Sequence, residues 1–232
     1  MTGELAILAR QAATLYRLDR AGRLLAVNET GDPPAPRLFI GRTWERNLWH
    51  TRHDLPEELS GAIDALIARE PPPVNLRDPL HCEAEVRALL EAHAPITGVW
   101  FGPAWWCPPE IAVRQPIPTV RLTEPTALQR HFPGWARDFA TSQPCVAVLD
   151  GDDAVAVCCS SRVSSVAAEA GATTLEGYRG RGYAAAAVAG WAEAVREAGR
   201  IPLYSTSWEN VASQGVARSL GLIPYGADLS FM

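Results

Sequence analysis

The hexapeptide Arg179-Gly180-Arg181-Gly182-Tyr183-Ala184 stands between two runs of different periodicity, and that junction constrains the chain more than any other segment. Before it, Ala170-Gly171-Ala172-Thr173-Thr174-Leu175 reads as a short strand. After it, Ala184, Val188, Trp191 and Val195 repeat at the spacing of a helix with one buried stripe. A strand, a glycine turn and a helix start gather main-chain N–H groups at the positive end of a helix dipole. That geometry holds a phosphate or pyrophosphate. Gly180 and Gly182 let the backbone reach a ligand without Cβ interference. A plain tight connection uses the same residues, so the loop by itself leaves both readings open.

Composition narrows the chemistry. The 232-residue chain contains no lysine, since all 21 of its cationic residues are arginine. Phosphate binding through Gly-Lys-Ser/Thr, lysine Schiff bases and kinases with a strand lysine are therefore closed to it. The formal charge of −5 lacks the basic footprint of non-specific nucleic-acid binding, so no nucleic-acid partner is expected. No segment approaches the roughly 18 apolar residues of a membrane span. The first thirty residues carry Glu4, Asp19 and several arginines, unlike a signal peptide. A soluble, cytoplasmic protein without a membrane partner is the expectation. The five cysteines follow no metal-ligand spacing, and reduced thiols are expected, with Cys158 and Cys159 pointing to opposite faces of a strand.

Residues 4–18 read as a helix, and 23–27 and 37–49 as strands. Asp54-Leu55-Pro56-Glu57 reads as a capping box opening a helix with Leu59, Ile63, Leu66 and Ile67 inward, which Pro71-Pro72-Pro73 stops. A helix over 80–93 and a strand over 96–101 follow, and the proline-rich stretch 107–118 reads as a boundary. A helical region over 124–141 precedes a hairpin, 145–149 and 154–157, turning at Asp150-Gly151-Asp152-Asp153. Beyond the central helix come Gly199 as a C-cap, a strand over 201–207, a helix over 209–220 stopped by Gly221, and a terminal strand or hairpin over 222–231.

From about residue 120 the order is helix, three strands, helix, strand, helix, strand. With Arg179, Gly182 and Ala184 matching an Arg-x-x-Gly-x-Ala loop, this order resembles the GCN5-related N-acetyltransferase (GNAT) superfamily. In a second family element, Asn-x-x-Ala-x-x-Leu-Tyr-x-x-x-Gly-Phe, the corresponding places are occupied in register, with partial degeneracy, by Asn210, Ser213, Val216, Gly221 and Leu222. The resemblance covers 120–232, and the first 110 residues do not match the family pattern. It implies an α/β (α+β) fold with a mixed, mostly antiparallel sheet flanked by helices, preceded by a smaller α+β region. The division expected is 1–112, shaping the acceptor side, and 113–232, binding acyl-CoA.

The resemblance further implies an acetyl-CoA-dependent N-acyltransferase acting on a small-molecule or peptide amine by direct attack in a ternary complex, with no metal. A homodimer is compatible with it. The amides of Arg181, Gly182, Tyr183 and Ala184 would hold the pyrophosphate, with Arg179 and Gly180 shaping the turn. Thr173, Thr174 and Leu175 would pair with the pantetheine arm, and Asn210, with Ser213 nearby, would orient it. One departure stands out: Ala217 occupies the place of the family's general-acid tyrosine. Tyr204 could supply the hydroxyl, solvent could suffice, or the chain could bind acyl-CoA without turnover.

Loss of a proton from the acceptor ammonium calls for a carboxylate or ordered water. Glu169, ten residues before Arg179, is the candidate base, with a solvent-facing strand glutamate as the alternative. Glu176 reads as a turn residue. Ser205, Ser207 and Ser213 would surround the thioester region, with helix caps or strand-edge groups as the equal alternative. Tyr225 and Trp191 read as packing, which is also the alternative for Tyr204. Trp105-Trp106 could line an acceptor pocket or pack against a neighbouring domain. His50-Thr51-Arg52-His53-Asp54 lacks a third ligand for a metal. A dinucleotide fold would need an acidic residue about twenty positions past the loop, where Arg200 and Ile201 stand.

Overall fold

In the computed structural model, which describes residues 3–111 and 116–232, the apolar spacing at the start forms helix α1 (Glu4–Leu15), burying Ile7, Leu8 and Ala12. The described residues group into two units. One comprises the described residues within Met1–Ala104, Thr206–Glu209 and Pro224–Met232, the other those within Trp105–Ser205 and Asn210–Ile223. The division expected between 112 and 113 lies outside the described residues.

In the first unit α1 ends earlier than the periodicity suggests. Residues 16–18 become β1 (Tyr16–Leu18), antiparallel to β2 (Leu24–Val27). The reason is local: the Asp19 carboxylate accepts from Ala21 N and Arg23 N, and Gly22 at φ +81° turns the chain back. The single strand read over 37–49 is likewise two, β3 (Leu38–Arg42) and β4 (Asn47–Thr51). They are joined by a turn in which Thr43 Oγ1 accepts from Glu45 N and Arg46 N. The expected capping box does not form: Asp54 instead takes Arg52 Nε at 2.6 Å, and Pro56 stands at the N-cap of α2 (Glu57–Ile67).

Every residue of β3 is buried because both faces are covered. Leu38 and Ile40 pack with Ile63 and Ile67 of α2 and with Val86 and Leu90 of α3 (Glu83–His93). Phe39 packs on the other face with Ala12 of α1. Each such side chain contributes about 1.5–3 kcal/mol by burial. The chain's last strand, β11 (Ile223–Phe231), pairs antiparallel with β3 from Ala227–Arg42 to Phe231–Leu38. The strand expected over 96–101 extends further, as β5 (Val99–Trp106).

In the second unit five strands lie in the order β10-β9-β8-β7-β6. These are β6 (Val120–Arg121), β7 (Cys145–Asp150), β8 (Asp153–Val163), β9 (Ala167–Thr174) and β10 (Ile201–Ser205). Neighbours are antiparallel except β9 and β10, which are parallel. The hairpin turn forms where expected, with Gly151 at φ +61°. Of the helical region over 124–141, only a 3-10 turn at Thr126–Leu128 and α4 (Pro133–Arg137) are helical. Pro125 and Pro133 each remove an amide donor and restart the backbone.

Helix α5 (Tyr183–Glu197) lays Val188, Trp191 and Val195 against Val146, Cys158 and Ala168, and α6 (Val211–Ser219) adds Ala217 to the same core. The Trp191 indole donates to Ser160 Oγ at 3.1 Å, so the buried N–H is satisfied. A mixed, mostly antiparallel sheet flanked by helices is therefore the observed fold. One expectation is corrected: Cys145 and Cys159, directly opposed in the β7–β8 register with Cα atoms 4.0 Å apart, form a disulfide, while Cys82, Cys107 and Cys158 are free. Among the described residues no helix is long and apolar enough to cross a membrane.

Candidate functional site

The turn from β9 into α5 is shaped by two glycines. Gly180 has φ +74° and Gly182, at the N-cap of α5, has φ +81°. A side chain in that left-handed region costs about 1–2 kcal/mol. The first main-chain bond of α5 runs from Ala186 N to Gly182 O at 3.0 Å. The amides of Tyr183, Ala184 and Ala185 therefore have no acceptor within the helix, and the helix dipole adds positive potential there. The flanking arginines brace the turn: Arg181 Nη2 donates to Gly177 O at 3.0 Å and its guanidinium lies 5.2 Å over the Tyr178 ring.

Next to this turn the sheet opens. The parallel register of β9 and β10 runs through Ala167–Ile201, Ala168–Pro202 and Glu169–Leu203, then stops. β9 continues to Thr174, still paired with β8 through Val157–Thr173 and Ala156–Thr174. Its other edge beyond Glu169 borders a cavity of about 700 Å³. Of the residues singled out in the sequence, Thr173, Thr174, Arg179, Gly180, Gly182, Tyr183, Ala184, Asn210, Ser213 and Tyr204 line it. Leu175, Arg181 and Glu169 do not. Leu175 packs with Val148 and Val155 instead. The lining also includes Ala172, Tyr178, Ala212, Gly215 and Ser219, which carried no motif signal in the sequence.

Asn210 owes its place to the start of α6, where its Oδ1 accepts from Ser213 N at 3.0 Å as an N-cap. The Tyr204 hydroxyl reaches the same helix, 2.7 Å from Ser213 Oγ. Burial pushes this phenol up to about 12, so it stays protonated and able to donate near neutrality. Ala217 is fully buried in the core, so no hydroxyl arises from that position. Trp105 packs beside Tyr204, ring centroids 6.1 Å apart.

Glu169 is only 3% exposed. Ser205 Oγ donates to its Oε1 at 2.6 Å, while Oε2 has no hydrogen-bond partner. Burial lifts the carboxyl to about 7, against the opposing pull of the Ser205 bond and the Arg162 charge. Arg162 stands directly opposite it in the β8–β9 register. Ser205 is a partner that sequence alone could not assign, because it comes from a parallel neighbour 36 positions away. In the first unit Tyr225 is buried, and His50 stacks on Phe39 at 6.3 Å. Among the described residues no group of three or more His, Cys, Asp or Glu could hold a metal.

No curated protein matches the chain. A GCN5-related N-acetyltransferase-like protein from Streptococcus suis 89/1591 shares the fold, with a TM-score of 0.51 at 14% identity over 99% of this chain and 100% of that one. An acetyltransferase from the GNAT family of Colwellia psychrerythraea aligns over 79% of this chain and 75% of its own, with 13% identity and a TM-score of 0.49. A GNAT-family structure from Novosphingobium aromaticivorans DSM 12444 aligns over 59% of this chain and 65% of its own, with 20% identity and a TM-score of 0.47. Residues 123–226 match the family model described as GNAT acetyltransferase. That segment is therefore similar to the GNAT acetyltransferases, and the chain shares the fold of the Streptococcus suis protein.

Proposed function

We propose that the protein is an N-acetyltransferase that moves an acetyl group from acetyl-CoA to a primary amine of a small molecule or peptide. The observation that carries this reading is the cavity where β9 outruns its parallel pairing with β10, beside the glycine-shaped N-terminus of α5. The residues suit such a coenzyme. The amides at the start of α5 offer donors to a diphosphate, and none of the side chains in that first turn is acidic. Thr174 Oγ1 is buried without a hydrogen-bond partner, as expected of a group that pairs with a ligand. The edge of β9 at Thr173 and Thr174 offers main-chain donors and acceptors to an extended amide-bearing arm.

Bound acetyl-CoA would supply a thioester open to direct attack by the amine. Glu169, held by Ser205, would take the proton given up by the acceptor, either through the Ser205 hydroxyl or through water. Tyr204, protonated and lining the cavity, would give a proton to the departing sulfur. Calorimetric binding of CoA, together with thiol release from acetyl-CoA across a panel of amines, tests the reading. Absence of CoA binding overturns it.

A second reading is favoured by Ala217: a module that binds acyl-CoA without turnover. It predicts CoA binding, no thiol release with any amine, and no effect of Glu169→Gln or Tyr204→Phe on acetyl-CoA consumption.

A further inference from the structure

The first unit has a hollow of its own, about 970 Å³, over the terminal strand of its sheet. Among the described residues β4 pairs with β3 on one side, and no strand pairs with its other edge from Asn47 to Trp49. The bonds at the two ends of that ladder, Arg52 N to Arg37 O and Thr43 N to Arg46 O, fix its alternation. Phe39–His50 and Gly41–Leu48 are accordingly the hydrogen-bonded pairs. Trp49, opposite Ile40, therefore turns its own N–H and C=O away from β3 toward the open edge, and Thr51 turns its N–H the same way. Just past Thr51 the edge closes, where His53 N donates to Leu24 O at 3.0 Å.

Helix α2 flanks this open edge. Glu57, Ser60 and Asp64 recur along it as one stripe, which Ala68 continues at the C-cap, and all four line the hollow. An edge strand beside a helix is the geometry by which extended peptides are captured as an added strand, with main-chain bonds giving affinity and flanking side chains giving selectivity. The flanking charge is acidic. Among the described lining residues Arg23 is the arginine, and Asp19 already holds it at 2.9 Å. The Trp49 indole is pinned by Asp64 Oδ1 at 2.6 Å and forms a fixed wall rather than a mobile plug. Ala65 and Ala68 keep the helix side of the hollow low.

We propose that the groove between the open edge of β4 and α2 docks an extended, basic peptide segment of a partner protein as an added strand, its cationic side chains meeting Glu57 and Asp64. This site is separate from the acyl-transfer reading and does not depend on it.

Fluorescence anisotropy on the full chain tests the proposal with three labelled peptides. They are an alternating lysine–valine peptide, its glutamate–valine counterpart, and the lysine peptide N-methylated at every residue. The lysine peptide is expected to saturate at micromolar concentration, with the other two weaker by roughly tenfold or more. Glu57→Arg is expected to weaken the lysine peptide by a similar factor and to strengthen the glutamate one. Equal binding of the methylated peptide overturns the proposal, because strand addition needs those amides, and so does no binding of the lysine peptide. A concentration-dependent dimer in sedimentation velocity that Glu57→Arg dissolves also overturns it, since a second copy then occupies the edge.

Discussion

Burial lifts the Glu169 carboxyl from an ordinary 4.5 to about 7, which ties a proposed catalytic role to a stability cost of known sign. Between those values the folded protein holds the proton more tightly than the unfolded chain does. The stabilisation is full below pH 4.5 and is lost as pH rises through 7. From pH 4 to pH 8 the native protein should lose on the order of 3 kcal/mol relative to Glu169→Gln, read from denaturant melts of both. If Glu169 also accepts the substrate proton, kcat/KM of the native protein rises with an inflection near pH 7. Glu169→Gln should then abolish that limb and lower the rate by about a hundredfold to a thousandfold, as thiol-release assays across pH would show. Tyr204→Phe keeps the ring contact with Trp105 but loses the hydroxyl at Ser213. It is expected to lower kcat by about tenfold or more, with KM for acetyl-CoA little changed and stability reduced by about 1 kcal/mol.

At the scale of elements, the turn into α5 makes the sharpest test. A Cβ on Gly182 would meet Ile117 Cδ1 at 3.4 Å, an ordinary contact, so the obstacle to Gly182→Ala is its φ of +81° and not crowding. The variant should lose about 1 kcal/mol of stability and bind CoA about tenfold more weakly, measured by calorimetry. This junction was legible in the sequence because glycine is the residue that a left-handed turn demands, and the helix after it has a clean apolar stripe. The hairpin at Gly151 was legible for the same reason. The break between β3 and β4 was not, because Thr43-Trp44-Glu45-Arg46 contains no glycine, proline or asparagine, and the turn is held by the Thr43 hydroxyl. Nor was β1, whose residues continue the α1 pattern until the Asp19 carboxylate turns the chain. The Asn210 cap was not read, since the helix expected over 209–220 placed that residue inside its first turn, whereas α6 begins only at Val211. The Ser205–Glu169 bond could not be read, since it depends on the register of two parallel strands that no local pattern encodes.

For the molecule as a whole, chain order and spatial grouping differ. Pro224–Met232 belongs with the first unit, where β11 pairs with β3. A fragment comprising 113–232 therefore carries β11 without its β3 partner and exposes Leu229 and Phe231, which are buried in the full chain. Such a fragment is expected to aggregate or to melt without a cooperative transition, whereas the full chain melts cooperatively. Circular dichroism and light scattering on both would show it. The gap that begins after Glu169 and Leu203 has one further property. Its β9 side is walled by peptide groups, which every amino acid except proline supplies alike. On the proposed reading, a lineage built on such a gap can exchange most of the side chains around an acyl carrier and go on handling that carrier, while its choice of recipient drifts.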